Sequence, residues 1–173
     1  MQLEKSFIAD IKNILAAARQ KAYTAINHAM VQAYWHVGKR IVEEDQQGKE
    51  KATYGDALLK ELSKSLTQEL GQGFSYANLK NFRKFYITFP DFEKGYALRS
   101  LLGWTHYRLI MRVENPIARE YYLNECAGQS WSARVLERNI NSFYYERLLS
   151  SQQNNEALAY NKPTEKKTLA DFI

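Results

Sequence analysis

The chain holds one cysteine, Cys126, three prolines and eight glycines among its 173 residues. A single thiol excludes an intrachain disulfide and a cysteine-based zinc site. So few turn formers argue against an all-β fold, in which punctuation recurs about every 8–12 residues. The apolar runs fall short of the ~20 residues that cross a bilayer, and MQLEKSFIAD has no signal-peptide core, so a cytoplasmic protein without a membrane partner is expected. No P-loop or G-x-S-x-G spacing occurs. His28 and His36 stand two turns apart, too far for an i, i+4 metal pair, and His106 beside Trp104 and Tyr107 reads as a packed or capping side chain. Pro90-Asp91-Phe92-Glu93-Lys94 has the composition of a nuclease metal motif. There the acid and lysine are adjacent and no strands surround them, while Glu165-Lys166-Lys167 has the spacing but lies in the tail. The reading is therefore no catalytic residue, no metal site and no cofactor in this chain.

What is present is a globular composition, 45% hydrophobic and 13% aromatic, with a net charge of +5 and a pI near 9.2. That charge is unevenly placed. Residues 71–112 carry Lys80, Arg83, Lys84, Lys94, Arg99, Arg108 and Arg112 against Asp91 and Glu93, and so hold an excess equal to that of the whole chain. Clustered cations of this kind are the footprint of a nucleic-acid surface, or else a solvated basic face without a partner.

Apolar periodicity predicts an all-α fold. Residues 6–18 read as a short first helix with Phe7, Ile8, Ile11, Ile14 and Leu15 on one side. A long helix from about Ala18 to Asp45 then carries Ala22, Ile26, Ala29, Ala33, Val37 and Ile41 in steps of three and four. This second stripe fits core packing or a homodimer seam. A helix from Asp56 to Leu70 stops at Gly71-Gln72-Gly73, and Ser75 offers an N-cap to the next, with Phe74 as its staple and Pro90 as its end. Helix, short turn, helix is the spacing of a helix-turn-helix.

On that second helix Leu79, Phe82 and Tyr86 share one side, with Phe85 on their flank. Tyr76, Lys80 and Lys84 line up on the opposite side beside Ala77, with Asn81 and Arg83 at the edges. In a major groove such a ridge sets Tyr76, Ala77 and Lys80 towards base edges, while Asn81, Arg83 and Lys84 hold phosphates and flanks. The stretch Asp91 to Gly103 fits a β-hairpin wing or a plain loop. Thr105 then caps a helix over His106–Val113, and Asn115-Pro116 starts another that Gly128 ends. Trp131 and Ser132 open a last long helix reaching Leu149. Arg108, Arg112, Arg134 and Arg138 are second-tier DNA contacts, although Arg134 and Arg138 are expected to pair with Glu137 or with the acids of residues 114–125. Residues 1–149 form one domain, and 150–173 read as a linker or tail.

The stretches YWHVGKRIVEE, YGDALLKELSKSLTQELGQGFSYANLKNFRKFY, GWTHYRLIMRVENPIAREYYLNEC and SWSARVLERNINSFYYERLL, taken in order, resemble the N-terminal domain of the YhcG-like nucleases. The resemblance implies a helical domain of helix-turn-helix or winged-helix type, followed by a separate PD-(D/E)xK nuclease domain to which the tail KKTLADFI leads. It thereby implies a targeting role, in which this domain recognises DNA or assembles the protein and the cutting is done elsewhere. DNA and, from the stripe of the long helix, a second copy of the chain are the expected partners. The rival reading is a dimerisation and protein-interaction module whose basic patch meets an acidic protein.

Overall fold

A computed structural model describes residues 4–47, 52–92 and 102–151, and among these every regular element is helical. The order is α1 (Lys5–Gln47), α2 (Ala52–Leu70), a 3-10 turn (Gln72–Phe74), α3 (Tyr76–Thr88), α4 (Trp104–Ile110), α5 (Pro116–Gln129), α6 (Ala133–Asn141) and α7 (residues 144–151). The proposed wing falls between Asp91 and Gly103, mostly outside the described residues.

The expected break near Ala18 does not occur: α1 is one helix of 43 residues. Its apolar face changes sides instead. At 3.6 residues per turn, Phe7, Ile11, Leu15, Ala18, Ala22 and Ala29 fall within about 80° of one another, and Val31, Trp35, Gly38 and Ile41 centre about 180° away. Of the stripe expected as core packing or a homodimer seam, Ala22, Ile26, Ala29 and Ala33 are exposed, while Val37 is half-buried and Ile41 is buried beside Val31 and Trp35, so only its C-terminal end reaches the core. The early stripe faces away from the domain, and only the later one packs on it.

The crossing of α1 with α3 is close because position 38 has no side chain. A Cβ there would sit 2.0 Å from the Phe82 carbonyl oxygen. Glycine inside a helix costs about 1 kcal/mol relative to alanine, and here the contact it permits offsets that cost. Around the crossing Tyr34 stacks on Phe82 at 4.3 Å, and Trp104 lies 5.3 Å from the same ring. The Trp35 indole N–H donates to the Phe89 carbonyl at 2.8 Å, satisfying a group at the end of α3.

Among the described residues two clusters make up the core. The smaller joins Ile41, Leu59, Leu79 and Phe82, and the larger gathers Val31, Trp35, Phe85, Tyr107, Ile110, Tyr122, Leu123, Cys126 and Leu136 among others. Cys126 is buried, and burial pushes its thiol up to about 12. In the larger cluster the Tyr122 hydroxyl donates to the Asn139 carbonyl and accepts from the Tyr145 backbone N–H, both at 3.3 Å, tying α5, α6 and α7 together.

Further boundaries differ from the sequence reading, among them the start of α2, at Ala52 and not Asp56, and the end of α4, at Ile110 and not Val113. Gly103, not Thr105, is the N-cap of α4, and no side chain caps it. The next helix runs past Gly128, and Ser130 takes the left-handed conformation with φ 51°. The Trp131 N–H reaches back to the Cys126 carbonyl at 3.3 Å, and the indole packs on the larger cluster, so an apolar contact after the helix sets its end. The last helix does not run unbroken to Leu149: Phe143, at φ 51°, separates α6 from α7.

Candidate nucleic-acid interface

The pair α2–α3 is joined through Gly71, at φ 90°, and the 3-10 turn. The Ser75 hydroxyl accepts the Asn78 backbone N–H at 3.4 Å, and the Asn78 side-chain amide donates to the Gly73 carbonyl at 3.0 Å, closing the turn on both sides. A serine cap of this kind is worth about 1 kcal/mol. Phe74 packs against the cluster that contains Leu79, as a staple residue should. With Leu79, Phe82 and Phe85 buried, the opposite side of α3 is fixed outward.

Of the six residues assigned to that side, Ala77, Lys80 and Lys84 are exposed, while Tyr76, Asn81 and Arg83 are half-buried. Lys80 lies over the Tyr76 ring at 5.5 Å, and Lys80, Asn81, Arg83, Lys84 and Ile87 line one shallow depression of about 270 Å³. Two members are engaged inside the protein. Arg83 reaches across to Asp45 on α1 at 2.5 Å. The Tyr76 hydroxyl donates to the Asp56 carboxylate on α2. The latter bond, helped by Lys60, holds the Asp56 carboxyl below its ordinary range and pushes the Tyr76 phenol up. Ile87 adds an exposed apolar side chain to the ridge's far end.

The second set has a different character. Pro116 opens α5 behind Asn115, whose side chain accepts the Ile117 N–H at 2.9 Å, and Ser132 caps α6 through the Val135 N–H at 3.3 Å. On α6 Leu136 and Asn139 point inward, leaving Arg134, Glu137, Arg138 and Asn141 exposed. Arg108 on α4 and Arg112 just after it are exposed as well. Arg108, Arg112, Arg134 and Glu137 line one depression of about 270 Å³, and Arg134, Glu137 and Arg138 continue into another of about 490 Å³.

The expected pairing of Arg134 and Arg138 does not occur. None of the four arginines forms an ion pair with a described residue, even though Glu137 lies between two of them. The acids nearest in sequence do not reach them, and Arg119 instead spends its guanidinium on the Val113 carbonyl at 2.9 Å. His106 is tied inward, with its Nε2–H donating to the Trp131 carbonyl at 2.9 Å. Among the described residues no group of three or more His, Cys, Asp and Glu side chains could hold a metal, and no helix is long and apolar enough to cross a membrane.

These features define a helical domain with two short-turn helix pairs, each presenting cations to solvent. The chain belongs to the family of the DUF1016 N-terminal domain, whose model matches residues 10–147. It is similar to the protein named "Putative nuclease YhcG" of Escherichia coli (strain K12), with 30% identity over 184 residues. That match covers 90% of this chain and 49% of that protein, so the chain spans about half the length of the curated relative it matches. No solved structure matches it.

Proposed function

We propose that residues 1–149 are a non-catalytic DNA-binding domain that targets a nuclease, acting in the cytoplasm as a homodimer. Residues 150–173 are the tail leading towards the cutting module. The observation that carries this reading is the arginine groove. Arg108 and Arg112, on and just after α4, and Arg134 and Arg138 on α6 line adjoining depressions with Glu137, and none of the four forms an ion pair with a described residue. Uncompensated guanidinium groups drawn together from distant sequence positions suit a polyanion, because each one binds phosphate oxygens in a fork. The relative's name, which calls it a nuclease, makes DNA the natural polyanion.

Lys80 and Lys84, beside Ala77, form the second contact on α3, in the manner of a helix-turn-helix with or without a wing. Tyr76, Asn81 and Arg83 border that ridge, Tyr76 and Arg83 from within their internal bonds. Neither surface needs a metal or a cofactor to bind.

A fluorescence-anisotropy titration on duplex and branched DNA at several salt concentrations tests the reading. Contacts to phosphates make log K fall with log salt by about 0.9 per neutralised phosphate. A salt-independent or undetectable interaction at low salt rejects it and leaves the rival, in which the same cations receive an acidic protein.

A further inference from the structure

We infer that the outward stripe of α1 is an antiparallel seam between two copies of this chain, centred on Ala18. The inference gives the homodimer proposed above its surface, direction and register. Phe7, Ile8, Ile11, Ile14, Leu15 and Ile26 are each 39–68% exposed. Together they show solvent roughly 500 Å² of apolar side chain, a size at which a patch marks an interaction site. Two such stripes face to face bury roughly 1,000 Å², the least that a specific interface needs, before their flanks are counted.

The occupant follows from the order of side-chain sizes. Large residues come first (Ile8, Ile11, Leu15) and small ones last (Ala22, Ala25, Ala29), with Ala18 between them. An antiparallel copy sets Ile8 against the second copy's Ala29, Ile11 against its Ala25 and Ile26, Leu15 against its Ala22, and Ala18 against its Ala18. The layers then set a large side chain against a small one, or two small ones at the centre, with Ile26 filling the edge of the Ile11 layer, and the axes stay near the 8–10 Å of ordinary helix pairs. A parallel copy stacks Ile8 on Ile8 and Ala29 on Ala29, forcing the axes to taper. An unrelated partner would have no reason to match this gradient.

Lys5, Lys12 and Arg19 recur at intervals of seven along one edge of the stripe. Antiparallel pairing brings Arg19 close to its own copy, so screening by salt favours the seam. DNA binding responds in the opposite sense, and failure of one proposal is therefore distinguishable from failure of the other.

The test is sedimentation equilibrium of the 173-residue protein combined with mild oxidation of single-cysteine variants, Cys126 being buried and silent. The wild type is expected to dimerise, more tightly at higher salt, and Leu15→Lys to weaken the dimer by at least roughly tenfold with unchanged helicity. Ala18→Cys should cross-link to itself. Ile8→Cys should not, its copies standing about 30 Å apart, yet it should link to Ala29→Cys in a mixture. A monomeric wild type, a dimer indifferent to Leu15→Lys, or Ile8→Cys joining itself as readily as Ala18→Cys overturns the seam.

Discussion

The ridge on α3 and the groove between α4 and α6 carry cations of similar number but different standing. On α3 Arg83 is held by Asp45 and Tyr76 by Asp56, so two of the six side chains also hold α3 to α1 and α2. In the groove all four arginines are exposed and without an ion pair among the described residues. A cation that already has a carboxylate has lost much of what it could offer a phosphate, because the internal partner must be given up or shared. Charge counted along the sequence therefore overstates the ridge and understates the groove.

Four experiments press on that contrast. The largest effect is expected from replacing Arg108, Arg112, Arg134 and Arg138 together by alanine. DNA affinity should fall by about 100-fold, and the salt slope should drop by about 3.6, as four lost phosphate contacts require. Lys80→Ala with Lys84→Ala should cost about tenfold and flatten the slope by about 1.8. Unchanged affinity in that folded double variant removes α3 from the DNA surface. Arg83→Ala should leave the salt slope alone and lower stability in urea by about 1 kcal/mol at most, the pair with Asp45 being partly exposed. If Arg83→Ala instead weakens DNA binding without loss of stability, the distinction between the two surfaces collapses.

The smallest effect concerns Tyr76→Phe. Since its bond holds the Asp56 carboxyl below its ordinary value of 3.8, the contribution is present above that pH and disappears as pH falls through the depressed value. The Tyr76 phenol is pushed above its ordinary value of 10.0, so the same contribution also fades as the solution becomes strongly alkaline. The small difference in melting temperature between wild type and variant should therefore be present at pH 7 and begin to narrow only below the ordinary carboxyl value of 3.8. A gap that narrows already between pH 7 and pH 5 places the tyrosine's role elsewhere.

Much of the fold was legible because it is written locally. Ser75 as a cap, Ser132 and Pro116 at helix starts, and Leu79 and Phe82 facing inward all follow from spacing within one or two turns, although Phe85 is buried more fully than Tyr86. What escaped depends on distance along the chain. The Asp45–Arg83 pair joins residues 38 apart. Gly38 in WHVGKR carried a readable signal, a glycine within an otherwise helical run, but only the crossing explains it. The expected break near Ala18 has no counterpart in the apolar stripe, which runs on through Ala18 and Ala22 within one helix and changes sides only near Ala29 to Val31. Arg134 and Arg138 were assigned partners from sequence proximity to Glu137, whereas helical direction leaves all three side chains pointing into open depressions.

The length of α1 has a consequence for the spacing of target sites. In the antiparallel pairing, the points where the two copies cross their own α3 at Gly38 stand about 60 Å apart along the shared axis. At 3.4 Å per base pair that separation corresponds to about 18 base pairs, between one and two turns of duplex. The dimer proposed above would act as a ruler, and the DNA that suited it best would offer two contacts at that interval.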